Sequence, residues 1–397
     1  MTRRRDARNP ALIILLMCAT LTVMAGATIA PSLPGLQDHF ASLPEAGTLV
    51  PLVLTVPGLA IALMSPIAGF LADHLPKRRL LAAGIVLYVI AGSSGLYLDL
   101  IGHILVGRAF LGVAVAGVMT SSMALIASLY TDAERARILG FQAAAMSFGG
   151  VVFILAGGFL ADLHWRGPFA VYLAPMVLIP LIFLKVPRGE RVRDPMDDGH
   201  PAIRFPWRFA GIVYFGAFAN FLVFYTLPLK LPFLFRVLGI EQASVAGMAI
   251  ALLTLASGLT SLSYGRLRGG IAPGIIAAGA FAVLAVCFTV MAVIPPLPVV
   301  FGLMIFVGIA SGTILPNATT WLYSRIPPQM RGRAAGYMTM SVFTAQFLSA
   351  PIAAYLEPIG GLSAIYAFAA AMATVSAVFY LALGPRVRSG QQAPDTR

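Results

Sequence analysis

Apolar and polar positions do not alternate finely along this chain. They come in long oily runs broken by short charged ones. The runs fall at roughly Pro10–Leu33, Ala46–Ala72, Leu80–Leu98, Ile101–Tyr130, Ile138–Leu160 and Pro168–Leu184, then, after a polar gap, at Phe209–Leu231, Ala243–Tyr264, Ile271–Ile294, Pro298–Tyr323, Ala334–Leu356 and Leu362–Leu383. A helix crosses a bilayer in about 20 residues, so the pattern predicts an all-α integral membrane protein of about twelve transmembrane helices. Glycine and proline inside the runs are no objection, because neighbouring helices can satisfy the backbone groups they free.

Charge orients these helices. Of the 27 Lys and Arg, all but Arg108, Arg166, Lys230 and Arg236 lie at one set of run ends, together with the N-terminus, the polar gap and the C-terminus. The positive-inside rule makes that side cytoplasmic. The net charge of +12 is thereby explained by topology, and nucleic acid is not an expected partner. With 59% hydrophobic and 11% charged residues, the chain is too apolar for a water-soluble domain. Cys18 and Cys287 sit inside apolar runs with no metal-ligand spacing, so neither disulfide nor metal is expected. The sequence shows no phosphate-binding loop and no nucleophile–base set, so it predicts no cofactor, no ATP drive and no enzyme. The basic start resembles a signal peptide, but its apolar run is too long for one and reads as a retained first span.

The two sets of six runs resemble each other. Arg135 and Arg331, Arg137 and Arg333, Gly140 and Gly336, Gly112 and Gly308, and the Gly-x-Leu of Gly69 and of Gly265 all share an offset of 196 residues. The expected organisation is an N-terminal six-helix bundle over 1–184, a cytoplasmic linker over 185–208, and a C-terminal six-helix bundle with a short tail over 209–397. Parallel repeats of this kind belong to one class of secondary transporter.

The stretch GFLADHLPKRR after the second run resembles the signature of the major facilitator superfamily, with Gly69, Leu71, Asp73, Lys77 and Arg78 matching and His74 and Pro76 departing. The echo GRLRGG follows the eighth run. The resemblance implies a conformational latch made by Gly69, Asp73, Lys77 and Arg78. In it Asp73 faces the start of the eleventh helix near Ala334 and holds the outward-open state, as an anion at a helix N-terminus would. Lys77, Arg78 and Arg79 are expected to meet Asp132, Glu134 or lipid phosphates. Arg108 and Gly112 resemble the R-x-x-x-G pattern of the fourth span. Gly157, Gly158, Trp165 and Arg166 match part of the fifth-span pattern of drug antiporters, where Ile154 replaces a proline; those glycines equally suit helix packing.

By the same resemblance the substrate site lies near the bilayer midplane between the bundles. The candidate substrate-binding residues are Arg108, Gln142, Asn220, Tyr225, Lys230, Asn317 and Gln346. Arg108 and Lys230 are cations within spans, which are functional hypotheses by default; Arg108 can instead snorkel to the outer interface or hold a buried partner, and Lys230 either meets an anionic or zwitterionic substrate or snorkels outward with Arg236. The coupling candidates are Asp38, Asp73 and Arg108; Asp38 and His39 form either a rim site or a solvated loop pair. The implied function is secondary active export of a small amphipathic organic molecule by proton antiport with alternating access. The implied setting is a monomer in the lipid of a bacterial inner membrane, with both termini cytoplasmic. A uniporter or proton symporter for a sugar or organic anion is the alternative, and a non-transporting receptor or scaffold a more distant one.

Overall fold

The computed structural model describes residues 2–187, 205–267, 269–327 and 330–388; the side chains of 2–9, 73, 132, 133, 136, 267 and 384–388 lie outside that description, as does most of the expected linker. The helices are α1 (Thr2–Ala27), α2 (Leu33–His39), α3 (Ala46–His74), α4 (Lys77–Gly92), α5 (Ile101–Leu129), α6 (Asp132–Leu163), α7 (Gly167–Ala170), α8 (Leu178–Lys185), α9 (Trp207–Val237), α10 (Ala243–Leu267), α11 (Pro273–Ala292), α12 (Leu297–Tyr323) and α13 (Arg331–Arg388). With no water to meet exposed N–H and C=O groups in a bilayer core, helices that bond internally are what such runs must form.

Three features differ from the sequence expectation. The first run continues through a tight turn at Ala30–Ser32 into α2 and ends at His39, which carries Asp38 with it. The sixth run is broken, because Pro175 withholds a backbone donor and Val171–Val177 winds as a tighter helix between α7 and α8. Among the described residues 11 stretches, not twelve, are long and apolar enough to span. The difference lies at the end of the chain, where the last two runs join without a loop. α13 is 58 residues long, yet Gly360 and Gly361 leave helical geometry, and Gly361 takes the left-handed φ of 60° that glycine tolerates.

α1, α3, α4, α5, α6 and α8 pack among themselves, as do α9, α10, α11, α12 and α13. The 196-residue offset governs this packing in detail. Gly112 of α5 sits so close to α3 that a Cβ there would run into the Pro57 carbonyl and the Ala60 methyl. A Cβ on Gly308 of α12 would likewise lie 2.5 Å from the Leu253 carbonyl and 2.7 Å from the Ala256 methyl on α10. Pro57 and Leu253, and Ala60 and Ala256, differ by that same offset. Small residues permit this approach where lipid removes any hydrophobic drive between helices.

The two sets meet along α6 with α10 and along α3 with α13. They touch over only part of their length. A Cβ on Gly158 would lie 3.1 Å from Ser244 Cα and 3.3 Å from Gly247 Cα, at the end of the molecule away from the arginines. Gly140 and Gly265 lie about five turns from Gly158 and Gly247, hence on the same faces but at the arginine-rich end, and a Cβ on either would meet nothing within 4 Å among the described residues. On the other pair, Gly58 would touch Gln346 and the Phe343 carbonyl at 3.1 Å. Gly69, three turns on, and Gly336, two turns before Phe343, would touch nothing among the described residues. The two sets of helices are closed at the far end and splayed at the arginine-rich end.

Gly112→Ala and Gly308→Ala should each destabilise the protein by about 1–3 kcal/mol, the usual cost of overpacking. Gly302→Ala, whose Cβ meets nothing, should be neutral or stabilising by up to about 1 kcal/mol. Thermal melting of the detergent-solubilised variants checks both.

Candidate functional site

Arg108 is fully buried within the protein. Its Nε donates to the Val53 carbonyl at 2.9 Å and its Nη2 to the Ala25 carbonyl at 2.6 Å. Both acceptors are set free by the local sequence. Pro57 has no N–H to return to Val53 four residues earlier, and α1 ends at Ala27, so Ala25 belongs to its unsatisfied last turn. The cation therefore sits at the negative end of α1, the favourable pole of a helix dipole. Tyr172 lies beside it, 5.1 Å from ring centroid to guanidinium, and its hydroxyl donates to the Met24 and Ala25 carbonyls; Tyr88 donates to Leu21. Arg108 is a brace that fastens α1 and α3 to α5.

Lys230 is likewise internal. Its side chain is 1% exposed and its ammonium donates to Glu357 Oε2 of α13 at 2.7 Å, with the Phe233 ring 5.1 Å away. It does not snorkel outward with Arg236, one of the two roles the sequence left open; where the other placed an anionic or zwitterionic substrate, the ammonium holds Glu357. Asn317 is also engaged, donating to the Pro273 carbonyl and accepting from Tyr264. Asn220 is buried on the side of α9 near Gly216, which packs on Tyr380; its Oδ1 has no partner within the described residues.

Tyr225 and Gln346 come together where the two sets of helices part. A Cβ on Gly26 of α1 would lie 2.9 Å from the Tyr225 hydroxyl and 3.5 Å from the Gln346 amide nitrogen, and Gly58 of α3 faces the same amide. Both glycines belong to the first set, and both polar residues to the second. Phe221 stacks beneath Tyr225 at 6.1 Å. Gln142 is partly exposed on the face of α6 that carries Gly149, about two turns toward the arginine-rich end.

The closed end is tied by polar groups. Arg236 of α9 donates to both oxygens of Asp38 on α2, at 2.8 and 2.5 Å, so Asp38 pairs across the interface and not with His39. His39 stacks on Trp165 at 4.6 Å. Asp162 of α6 accepts from the Ser244 N–H at the start of α10, at 3.2 Å. Arg166 bonds the Gly95 and Leu96 carbonyls and Asp99. At the splayed end, Asp73 stands on the last turn of α3 with its side chain outside the described residues. Arg78 donates to the Val186 carbonyl at 3.2 Å and lies 5.4 Å from the Phe183 ring, so it caps the end of α8; the expected partner Asp132 has its side chain outside the described residues. Glu134 instead closes the capping box of α6 with Thr131. Lys77 opens α4.

The family model described as Major Facilitator Superfamily matches residues 15–287 and again 213–397. The chain belongs to the Major Facilitator Superfamily. Curated relatives include a puromycin resistance protein of Streptomyces alboniger, 31% identical over 184 residues, covering 45% of this chain and 36% of that protein. A class C tetracycline resistance protein of Escherichia coli is 29% identical over 208 residues, covering 50% and 51%. These matches span about a third to a half of the relatives' length. Solved structures match over nearly the whole chain. A D-xylose–proton symporter has a TM-score of 0.77 at 18% identity, covering 94% of this chain and 96% of its own. A bacterial homologue of the human lysosomal transporter Spinster, inward-facing and unoccupied, has 0.77 at 18%, covering 98% and 99%. At such identity they show the fold alone. This superfamily member has the helices of a multi-pass membrane protein.

Removing one member of the Lys230–Glu357 pair should destabilise the protein toward the lower end of the about 3–5 kcal/mol seen for buried pairs, because Glu357 is 38% exposed. Lys230→Met alone and Glu357→Gln alone should both melt lower than the double variant, in which no charge is stranded.

Proposed function

We propose that this transporter exports a small amphipathic organic molecule in exchange for protons, by alternating access. The observation that carries the reading is the contrast along the interface: glycine-to-backbone contact at one end, open faces at the other. The arginine-rich end is assigned to the cytoplasm by the positive-inside rule, so this conformation opens inward, where an exporter loads. The resistance proteins among its relatives support export. Its setting is a bacterial inner membrane with both termini cytoplasmic. A single chain supplies both walls of the site, so a monomer suffices, with an N-terminal bundle over 1–184 and a C-terminal bundle over 209–397 as the moving bodies.

Each end then has its own acid. Asp38 grips Arg236 while the outer end is shut. Asp73, with Gly69 beside it, would grip the start of α13 near Ala334 when the inner end shuts. Protonating either acid weakens its grip, which is how a proton gradient would bias the cycle. Tyr225, Gln346 and Gln142 contact the substrate, and Arg108 and Lys230 hold the bundles that carry them.

Energised inside-out vesicles test this. Adding dyes and antibiotics of the transported class should collapse the pH gradient in wild-type vesicles, and the response should fall at least tenfold in Asp73→Asn that still inserts. Gradient-independent uptake of a sugar or organic anion, with no gradient collapse by any compound, would contradict export and leave a facilitator.

A further inference from the structure

The groups at the junction of the two bundles also bear on what is carried, granted the export reading. Gln346 is 2% exposed, and its Oε1 has no hydrogen-bond partner within the described residues. Leaving such an acceptor unsatisfied costs about 1–3 kcal/mol. It lies at the interface, against Gly26 and Gly58 of the opposite bundle, next to the hydroxyl of Tyr225. These two side chains offer a neutral amide and a neutral phenol over an aromatic floor of Phe221 and Phe224.

Most of the charge in the spanning segments is already engaged, although Nη1 of Arg108 has no partner within the described residues. Arg108 is held by the Val53 and Ala25 carbonyls and faces Tyr172. Lys230 and Glu357 neutralise each other inside the second bundle. The splayed mouth carries exposed Arg137 on α6, Arg266 on α10, and Arg331 and Arg333 on α13, against the acids Glu134 and Asp73, so cations outnumber acids there. A permanent cation entering there would cross a positive field and then lose its hydration beside an amide and a phenol, at a cost of several kcal/mol that only a paired counter-charge offsets.

We infer that the exported substrate is uncharged and is recognised by a hydrogen bond it donates to the Gln346 amide, with the Tyr225 hydroxyl as a second contact. Gln346 thereby sets specificity. A carboxylate in the same place would invert it.

The test uses inside-out vesicles of the full-length protein, with radiolabelled chloramphenicol as the uncharged hydrogen-bond donor and tetraphenylphosphonium as the permanent cation. Wild type should accumulate chloramphenicol at least tenfold faster than tetraphenylphosphonium. Gln346→Glu should raise tetraphenylphosphonium transport at least fivefold and lower that of chloramphenicol. Gln346→Leu, which deletes the acceptor without adding charge, should lower chloramphenicol transport about tenfold, the equivalent of about 1.4 kcal/mol. Comparable transport of both probes by wild type would overturn the inference and leave export standing. Unchanged selectivity in both Gln346 variants would overturn the role of Gln346. Transport of neither probe, in vesicles that hold their proton gradient, would overturn the export reading and this inference with it.

Discussion

The approach of Gly158 to Gly247 is the contact around which the two bundles are arranged. Within lipid, helices gain little from burying apolar side chains against each other, so association depends on how closely backbones can come. Two glycines facing each other, with Cβ positions 3.2–3.3 Å from the opposing Cα, bring α6 and α10 as near as helices can lie. Gly150 and Gly258 continue this seam with small residues opposite, Gly258 against Ser147. Beyond it the same two faces separate. A seam that is close at one end and absent at the other is a fulcrum, and the splay follows from it.

The polar contacts divide along the same line, and their magnitudes indicate what moves. Ties inside a bundle are buried. Arg108 bonds carbonyls left open by Pro57 and by the end of α1, and Lys230 holds Glu357; stranding either charge would cost several kcal/mol. The tie between bundles at the closed end is exposed. Asp38 and Arg236 are 62% and 38% accessible, and pairs of that kind contribute about 0.2–1 kcal/mol. Each bundle is therefore internally fixed while the link between them is cheap to break. This is the distribution that rocking of two rigid bodies requires, and it accounts for why the cations that stood out within the spans serve the bodies, not the gate.

Much of this was legible in the sequence. The oily runs located the helices, the arginines located one face, and the offset of 196 residues anticipated that Gly112 and Gly308 would play one role twice. The acceptor for Arg108 could in part have been read, since Pro57 stands four residues after Val53 and must release its carbonyl. What the sequence withheld was partnership across distance. Lys230 and Glu357 are 127 residues apart, and Arg236 and Asp38 are 198. No local pattern pairs them. The last two runs also lack a punctuating loop: they meet at Gly360 and Gly361, where two residues out of helical geometry divide one 58-residue helix, so that 11 separate stretches stand where twelve runs were expected. Tyr225 and Gln346 were legible as polar residues within spans, but their convergence on Gly26 and Gly58 is a property of the assembled interface.

The central claim is that the closed end and the splayed end are alternatives of one equilibrium. Spin labels at Gly140→Cys and Gly265→Cys report the splayed end, and labels at Leu43→Cys and Gly239→Cys the closed end, both with Cys18 and Cys287 replaced by serine. Pulsed electron–electron distance distributions should be recorded with and without Asp38→Asn, which weakens the outer tie. The account predicts opposite shifts: a growing short-distance population at the arginine-rich end and a growing long-distance population at the other. A longer distance at the outer end with no shortening at the inner end would contradict it, because the two ends would then be moving independently.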